Sequence, residues 1–255
     1  MALPDASATA LLGCPVRQGE TVGAKEAESE EMTCGRKIGI YNCCSVVCGD
    51  CLELMKAIPD GAVDAVITDP PYGIGIAANP FRQKFEASDW DDEPATEQHF
   101  DELRRVSKQQ IVWGGNYFPL PPSQGFLIWD KGQVESFSSA MCEQAWMSQQ
   151  RPAKMFRLFA PSFSKEHPTQ KPEPLMQWCI QQAGMPETIL DPFAGSGTTG
   201  VAAAKLGRHY LLFEISEEYC RIARERIARV EAQPSLFDKP AEQIPLDMAV
   251  KRDSK

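Results

Sequence analysis

The chain has 255 residues, 43% of them hydrophobic, and a formal charge of −9, which suits one sizeable folded domain and argues against a strong non-specific nucleic-acid binder. No apolar run is long enough to span a membrane and no long apolar signal core opens the sequence, so a cytoplasmic protein is expected. In that setting nine cysteines, an odd number, read as reduced thiols rather than a disulfide framework.

Residues 1–36 are rich in Ala, Glu, Gly and Ser without an apolar period, and read as a mobile tail. Residues 37–231 read as one folded domain. Its pattern predicts a strand over 44–48, a helix over 51–58 and a buried strand over 62–68. A helix over 97–107 and strands over 110–113 and 126–130 follow. The stretch PEPLMQWCIQQAG, residues 172–184, has proline at its start and glycine at its end, as a helix does. Next come a strand at 188–190, a Gly-rich turn, a helix at 198–207 and a strand at 209–215. From Ser216 an amphipathic helix carries Tyr219, Ile222, Ala223, Ile227 and Val230 on one stripe. Residues 232–255 are polar and Pro-bearing, a second tail. This alternation implies an α/β fold, a mostly parallel doubly wound sheet with helices on both faces.

Charge is spread unevenly. Residues 1–31 hold six acids against two basic residues, and residues 86–102 hold eight acids and no Lys or Arg; without these segments the charge would be +3. Residues 151–171 carry Arg151, Lys154, Arg157, Lys165 and Lys171 against Glu166. Either a basic face on an acidic protein or an ordinary solvated surface accounts for this.

Two stretches carry chemistry. TDPPYG, Thr68 to Gly73, ends an apolar strand with an acid, two prolines and an aromatic ring. The prolines fix φ and lack N–H groups, so the turn is stiff and presents carbonyls. In ILDPFAGSGTTG, residues 189–200, a strand runs through Gly195-Ser196-Gly197 into a helix. That is how a Rossmann-like fold seats a cofactor, with glycines allowing close approach and the helix start offering free N–H donors. No Gly-Lys-Ser/Thr follows, so this is not a P-loop. Glu214 ends the next strand, where a carboxylate either accepts two ribose hydroxyls or caps the helix near Ser216.

Together DPPYG and DPFAGSGTT resemble the S-adenosylmethionine-dependent DNA amino-methyltransferases, which modify adenine N6 or cytosine N4. The catalytic motif precedes the cofactor loop, and HPTQKP at 167–172 lies just before the cofactor half, so the order is similar to the permuted β class. The resemblance covers about residues 37–231: a catalytic half 37–146, a recognition segment 147–166 and a cofactor half 167–231. It implies a Rossmann-like methyltransferase fold acting on double-stranded DNA, of the kind found in restriction-modification. Asp69 and the Pro70 carbonyl would each accept an amino hydrogen and aim the nitrogen lone pair at the methyl group, on the turn that Pro71 stiffens. Tyr72 would stack on the flipped base. Asp191, Phe193, Ala194, Gly195, Ser196, Gly197 and Thr198 would form the cofactor loop. Asp50 would approach the cofactor's adenine amino group, Glu214 its ribose, and Thr169 and Lys171 its methionine end. His167 has a site role or a structural one. Trp113 and Trp129 are expected in the core; Asn116 and Lys131 stay unassigned. Asp as the first motif residue leans toward adenine N6. Cytosine N4, an RNA adenine-N6 methyltransferase and an idle binding module are the alternatives.

The recognition segment MSQQRPAKMFRLFAPSFSKE is small for reading several base pairs. Loop 74–96, with Arg82 and Lys84, is a second candidate, and a short target or a homodimer would follow. Cys43, Cys44, Cys48 and Cys51 invite a metal reading, but a second Cys-x-x-Cys pair is missing, so buried thiols and no metal are expected. Past the last helix, QPSLFD (Gln233 to Asp238) resembles the peptide with which bacterial proteins dock on the replication sliding clamp. Leu236 and Phe237 either anchor there or fold back on the final helix.

Overall fold

The computed structural model describes residues 34–73, 94–133, 140–159 and 170–233. A hairpin of β1 (Lys37–Ile38) and β2 (Tyr41–Asn42) opens the chain. Then come β3 (Ser45–Cys48), α1 (Cys51–Met55), β4 (Ala65–Thr68), α2 (Glu97–Val106) and β5 (Gln110–Trp113). A 3-10 turn (Gly115–Tyr117) leads to β6 (Phe126–Asp130), β7 (Cys142–Met147) and β8 (Lys154–Arg157). The last part contains α3 (Glu173–Gln182), β9 (Thr188–Asp191), α4 (Thr198–Lys205), β10 (His209–Glu214) and α5 (Glu217–Glu231).

Eight strands form one sheet in the order β3-β10-β9-β4-β5-β7-β6-β8. The first five are mutually parallel; β7 runs antiparallel to both neighbours, and β8 lies parallel to β6 at the edge. Every residue of β4, β5 and β9 is buried, as a sheet covered on both faces demands. Alternation along the strands sorts the core into two layers. Ala65, Ile67, Ile111, Trp113, Ile189 and Leu212 face α3, α4 and α5. Val66, Val112, Leu190, Leu211 and Phe213 face α1 and α2. Trp113 and Trp129 are core residues, as expected.

Several predicted ends move. α1 stops at Met55 rather than 58, where the Arg105 guanidinium takes the carbonyls of Met55 and Ile58 at 2.8 and 2.7 Å. β4 starts at Ala65 rather than 62 because Asp64 leaves the ladder to bond the backbone and hydroxyl of Thr188. The fully buried line of α5 is Cys220, Ala223 and Ile227, so Tyr219 and Ile222 lie at its margins. The hairpin and strands β7 and β8 were not predicted; β8 lies within the segment expected to read the target.

β4 leads through α2 to β5 on one side, and β9 leads through α4 to β10 on the other. The neighbouring pair β4 and β9 is therefore the topological switch point. The crevice beyond its carboxyl ends is where doubly wound sheets bind ligands.

Candidate active site

Both chemistry-bearing stretches leave the sheet at this switch point. β4 ends in Asp69-Pro70-Pro71-Tyr72 and β9 ends in Asp191 followed by the glycine loop. Asp191 fastens the two turns together. Its carboxylate accepts from Thr68 Oγ1 at 2.6 Å, Thr199 Oγ1 at 2.5 Å and the Phe193 amide at 3.1 Å. Burial pushes its carboxyl up to about 6, against the pull of these hydrogen bonds. Both oxygens thus have protein partners, a positioning arrangement that the sequence alone does not reveal.

The glycine loop is held by backbone shape. Gly195 and Gly197 have φ of 52° and 79°, in the left-handed region. A Cβ on Gly197 would come within 2.7 Å of the Ala223 side chain. Glu214 Oε2 accepts from the Gly195 amide at 2.8 Å and Oε1 from the Ser216 amide at 2.9 Å. One carboxylate therefore braces the loop and the approach to α5, and burial raises it. Arg226 of α5 donates to the Ser196 carbonyl at 2.5 Å, the Ser196 hydroxyl at 2.8 Å and Thr198 Oγ1 at 3.2 Å. Asp50 follows β3, which pairs with β10, and its Oδ1 caps α1 through the Glu53 amide at 3.0 Å.

A cavity of about 490 Å³ opens over these turns, within the size range of small-molecule sites. Asp50, Glu214, Asp191, Thr198 and the run Phe193 to Ser196 line one side; Asp69, Pro71 and Lys171 line the other. Ile215 also lines it while 66% exposed, an apolar surface without protein cover. Pro70, Tyr72 and Gly197 do not line it, and Thr169 and His167 lie outside the described residues.

From Asp69 and Lys171 on the far wall a chain of alternating charges runs on to Glu143 and Lys131 behind them. Lys171 Nζ lies 2.5 Å from Asp69 Oδ2 and 3.1 Å from Glu143 Oε2, and Lys131 Nζ lies 2.5 Å from Glu143 Oε1. Burial pushes the Lys171 pKa down; Asp69 and Glu143 more than offset this and hold it well above the usual lysine value. Burial also pushes Glu143 up, but the ammoniums of Lys171 and Lys131 bring it down to about 2. The Tyr72 hydroxyl donates to Asp69 Oδ1, and burial followed by the Asp69 charge pushes that phenol well above its ordinary value. The Tyr72 ring stacks on Tyr117, with centroids 4.8 Å apart and planes at 15°, and Tyr117 is 52% exposed. A Cβ on Gly114 would meet the Tyr72 ring at 2.2 Å, so glycine is required behind it.

Glu143, Thr68 and Arg226 escaped the sequence reading, and Lys131 was left unassigned. For Glu143 a signal exists: Glu143, Ala145 and Met147 alternate along β7, which puts the acid on the inward face.

A doubly wound sheet with a glycine loop, a carboxylate-tipped neighbouring strand and a charged, proline-stiffened turn at its switch point fits the Rossmann-like methyltransferase class. The comparisons agree. The profile of the DNA methylase family that groups N6 and N4 enzymes matches residues 127–225. YubD of Escherichia coli (strain K12), described as a methylase, is 31% identical over 208 residues, covering 72% of this chain and 89% of YubD. The type II methyltransferase M.HinfI of Haemophilus influenzae is 25% identical over 275 residues, covering 82% and 76%. The solved PvuII DNA methyltransferase, cytosine-N4-specific, superposes with a TM-score of 0.52 at 15% identity, covering 73% of this chain and 90% of its own, a likeness of fold. The chain belongs to the DNA amino-methyltransferase family, whose members act on adenine N6 or cytosine N4. Among the described residues no helix is long and apolar enough to cross a membrane.

Proposed function

We propose that this protein methylates the N6 amine of adenine in double-stranded DNA, with S-adenosylmethionine as donor. The observation that carries the reading is the Asp69 carboxylate beside the glycine-loop cavity, on a turn stiffened by two prolines. The cavity suits such a cofactor: polar edges belong to Asp50 and Glu214, and Ile215 offers the uncovered apolar surface a flat ring would shield. Asp50, Phe193, Ala194, Gly195, Ser196, Thr198 and Glu214 would hold it, with Asp191 and Gly197 shaping the loop and Lys171 and Thr169 facing its methionine end. When bound, the cofactor supplies an already activated methyl group.

The chain's own residues supply orientation and a dry site. Asp69, an acceptor when ionised, and the Pro70 carbonyl each take one amino hydrogen, and the nitrogen lone pair then faces the methyl group. The two Asp69 oxygens are engaged by Tyr72 and Lys171, so substrate entry opens the Tyr72 bond and frees that ring to stack on the flipped base. Lys171 keeps Glu143 as a second partner and stays protonated. Part of 147–166 and loop 74–96 would read the target, which is either short or read with help from a second subunit. Residues 74–93, 160–166 and 234–238 lie outside the described residues, so the recognition loops, Arg82, Lys84 and the sliding-clamp peptide with Leu236 and Phe237 remain proposals from sequence.

Single-molecule sequencing of DNA from cells expressing the protein tests the reading. N6-methyladenine in a fixed context is expected; N4-methylcytosine would transfer the assignment to the cytosine enzymes. Labelled methyl incorporation into matched RNA instead of duplex DNA would point to an RNA enzyme, and incorporation into neither to a binding module.

A further inference from the structure

Three cysteines and a histidine converge at the opposite end of the sheet from the cavity. Cys34, Cys43, Cys44 and His209 bring one ligand atom each to within 4.8 Å of one another. His209 Nδ1 lies 3.0 Å from Cys43 Sγ, 3.5 Å from Cys34 Sγ and 3.8 Å from Cys44 Sγ, and the two adjacent sulfurs are 3.4 Å apart. We propose that this cluster is a structural zinc site with three thiolate ligands and one imidazole ligand.

The distances suit a tetrahedral ion. Zn–S bonds of about 2.3 Å and a Zn–N bond of about 2.0–2.1 Å place ligand sulfurs roughly 3.8 Å apart and sulfur and nitrogen roughly 3.6 Å apart. Hydrogen bonding alone does not account for the geometry, because a ring nitrogen donates or accepts one hydrogen bond and three sulfurs surround this one. Burial of small thiols does not account for it either: Cys43 is buried, but Cys34 and Cys44 are partly exposed.

The backbone supplies an independent observation. Successive residues of an extended strand point their side chains to opposite faces. Cys44 instead has φ of 61°, a left-handed conformation that is strained for a non-glycine residue. That twist lets the adjacent Cys43 and Cys44 sulfurs share one cluster. The Cys43 amide bonds the Arg36 carbonyl at 2.9 Å, closing the loop back from Cys34, and the Cys44 amide bonds the Tyr210 carbonyl at 2.7 Å, beside His209.

Soft thiolates with one imidazole in a closed set of four favour zinc and leave no open position for chemistry. On binding, the three thiols release their protons and His209 coordinates through Nδ1 as the neutral ring. The site would fasten the β1–β2 hairpin, which has two residues per strand and no place in the main sheet, to the starts of β3 and β10. β10 ends at Glu214 and β3 ends two residues before Asp50, so the metal would hold the cofactor wall from behind. The proposal departs from the expectation of no metal, which considered Cys43, Cys44, Cys48 and Cys51 and rested on the lack of a second Cys-x-x-Cys pair. Cys48 is exposed and Cys51 buried, and neither joins the cluster.

The test is elemental analysis of the full chain purified without a metal-affinity tag, followed by X-ray absorption. One zinc per chain is expected, released when a mercurial titrates the thiols, with three sulfurs and one nitrogen around it. Cys43→Ala and His209→Gln should lose the zinc, while Cys48→Ala and Cys142→Ala keep it. The wild-type analysis stands even where the first two variants do not fold. Wild-type protein without stoichiometric metal, with iron or copper instead of zinc, with other ligands, or with a disulfide among these cysteines overturns the proposal.

Discussion

The two walls of the crevice are built from different materials. The glycine-loop wall is a matter of backbone shape: left-handed glycines, a brace from Glu214 to two amides, and Arg226 fastened on Ser196 and Thr198. The Asp69 wall is a matter of charge, with two carboxylates and two ammoniums alternating across four segments of the chain. A shaped wall holds a cofactor by fit and tolerates the loss of one hydrogen bond. A charged wall sets a buried acid against a cation, with burial raising Asp69 overall while the Lys171 ammonium draws it back, and it fails when one member is left unpaired.

Substitutions can break this contrast. The largest effect on folding is expected from Lys171→Met, which strands Asp69 and Glu143 without their shared cation. Since Lys171 is only 7% exposed, unfolding stability should fall by about 3–5 kcal/mol, as read by denaturant titration. A loss below about 1 kcal/mol would mean the charges are better solvated than the structure indicates. Asp69→Ala should lower methyl transfer by on the order of 10²–10³-fold or more while calorimetry finds cofactor affinity unchanged, because the residue serves the acceptor side. Weakened cofactor binding in this variant would show that the walls do not act separately.

Smaller effects sharpen the contrast. Glu214→Ala should weaken S-adenosylmethionine binding by about 1–3 kcal/mol, through lost contacts and a loosened Gly195 amide. An unchanged dissociation constant would reduce Glu214 to a helix cap. Glu143→Gln should cost about 1–2 kcal/mol at neutral pH, the partly exposed side chain being discounted for solvent screening. The sign follows from the lowered pKa: this stabilisation is fully present above the ordinary value of 4.5 and is lost as pH falls toward about 2. Stability curves of wild type and variant should therefore converge on acidification; parallel curves would contradict the charge assignment.

The shaped wall was largely legible in the sequence because its determinants are local. Gly195-Ser196-Gly197 after an apolar strand announces a close turn, and Asp69-Pro70-Pro71-Tyr72 announces a stiff one. The charged wall was not, because its partners are distant: Lys171 reaches Asp69 across 102 positions. The HPTQKP resemblance pointed Lys171 toward a cofactor, and no spacing rule pairs it with an acid on another strand. β7 received no assignment from the sequence, although its inward Glu143 is the acid that steadies Lys171. His209 escaped for the same reason, lying 166 positions from Cys43.

The central claim is methyl transfer to an adenine amine in DNA. Its most direct test is nucleoside mass spectrometry of duplex DNA after incubation with the purified protein and isotope-labelled S-adenosylmethionine. Labelled N6-methyladenine is expected with the wild type and is reduced by on the order of 10²–10³-fold or more with Asp69→Ala. Labelled N4-methylcytosine, an unlabelled digest, or equal label with Asp69→Ala would contradict it.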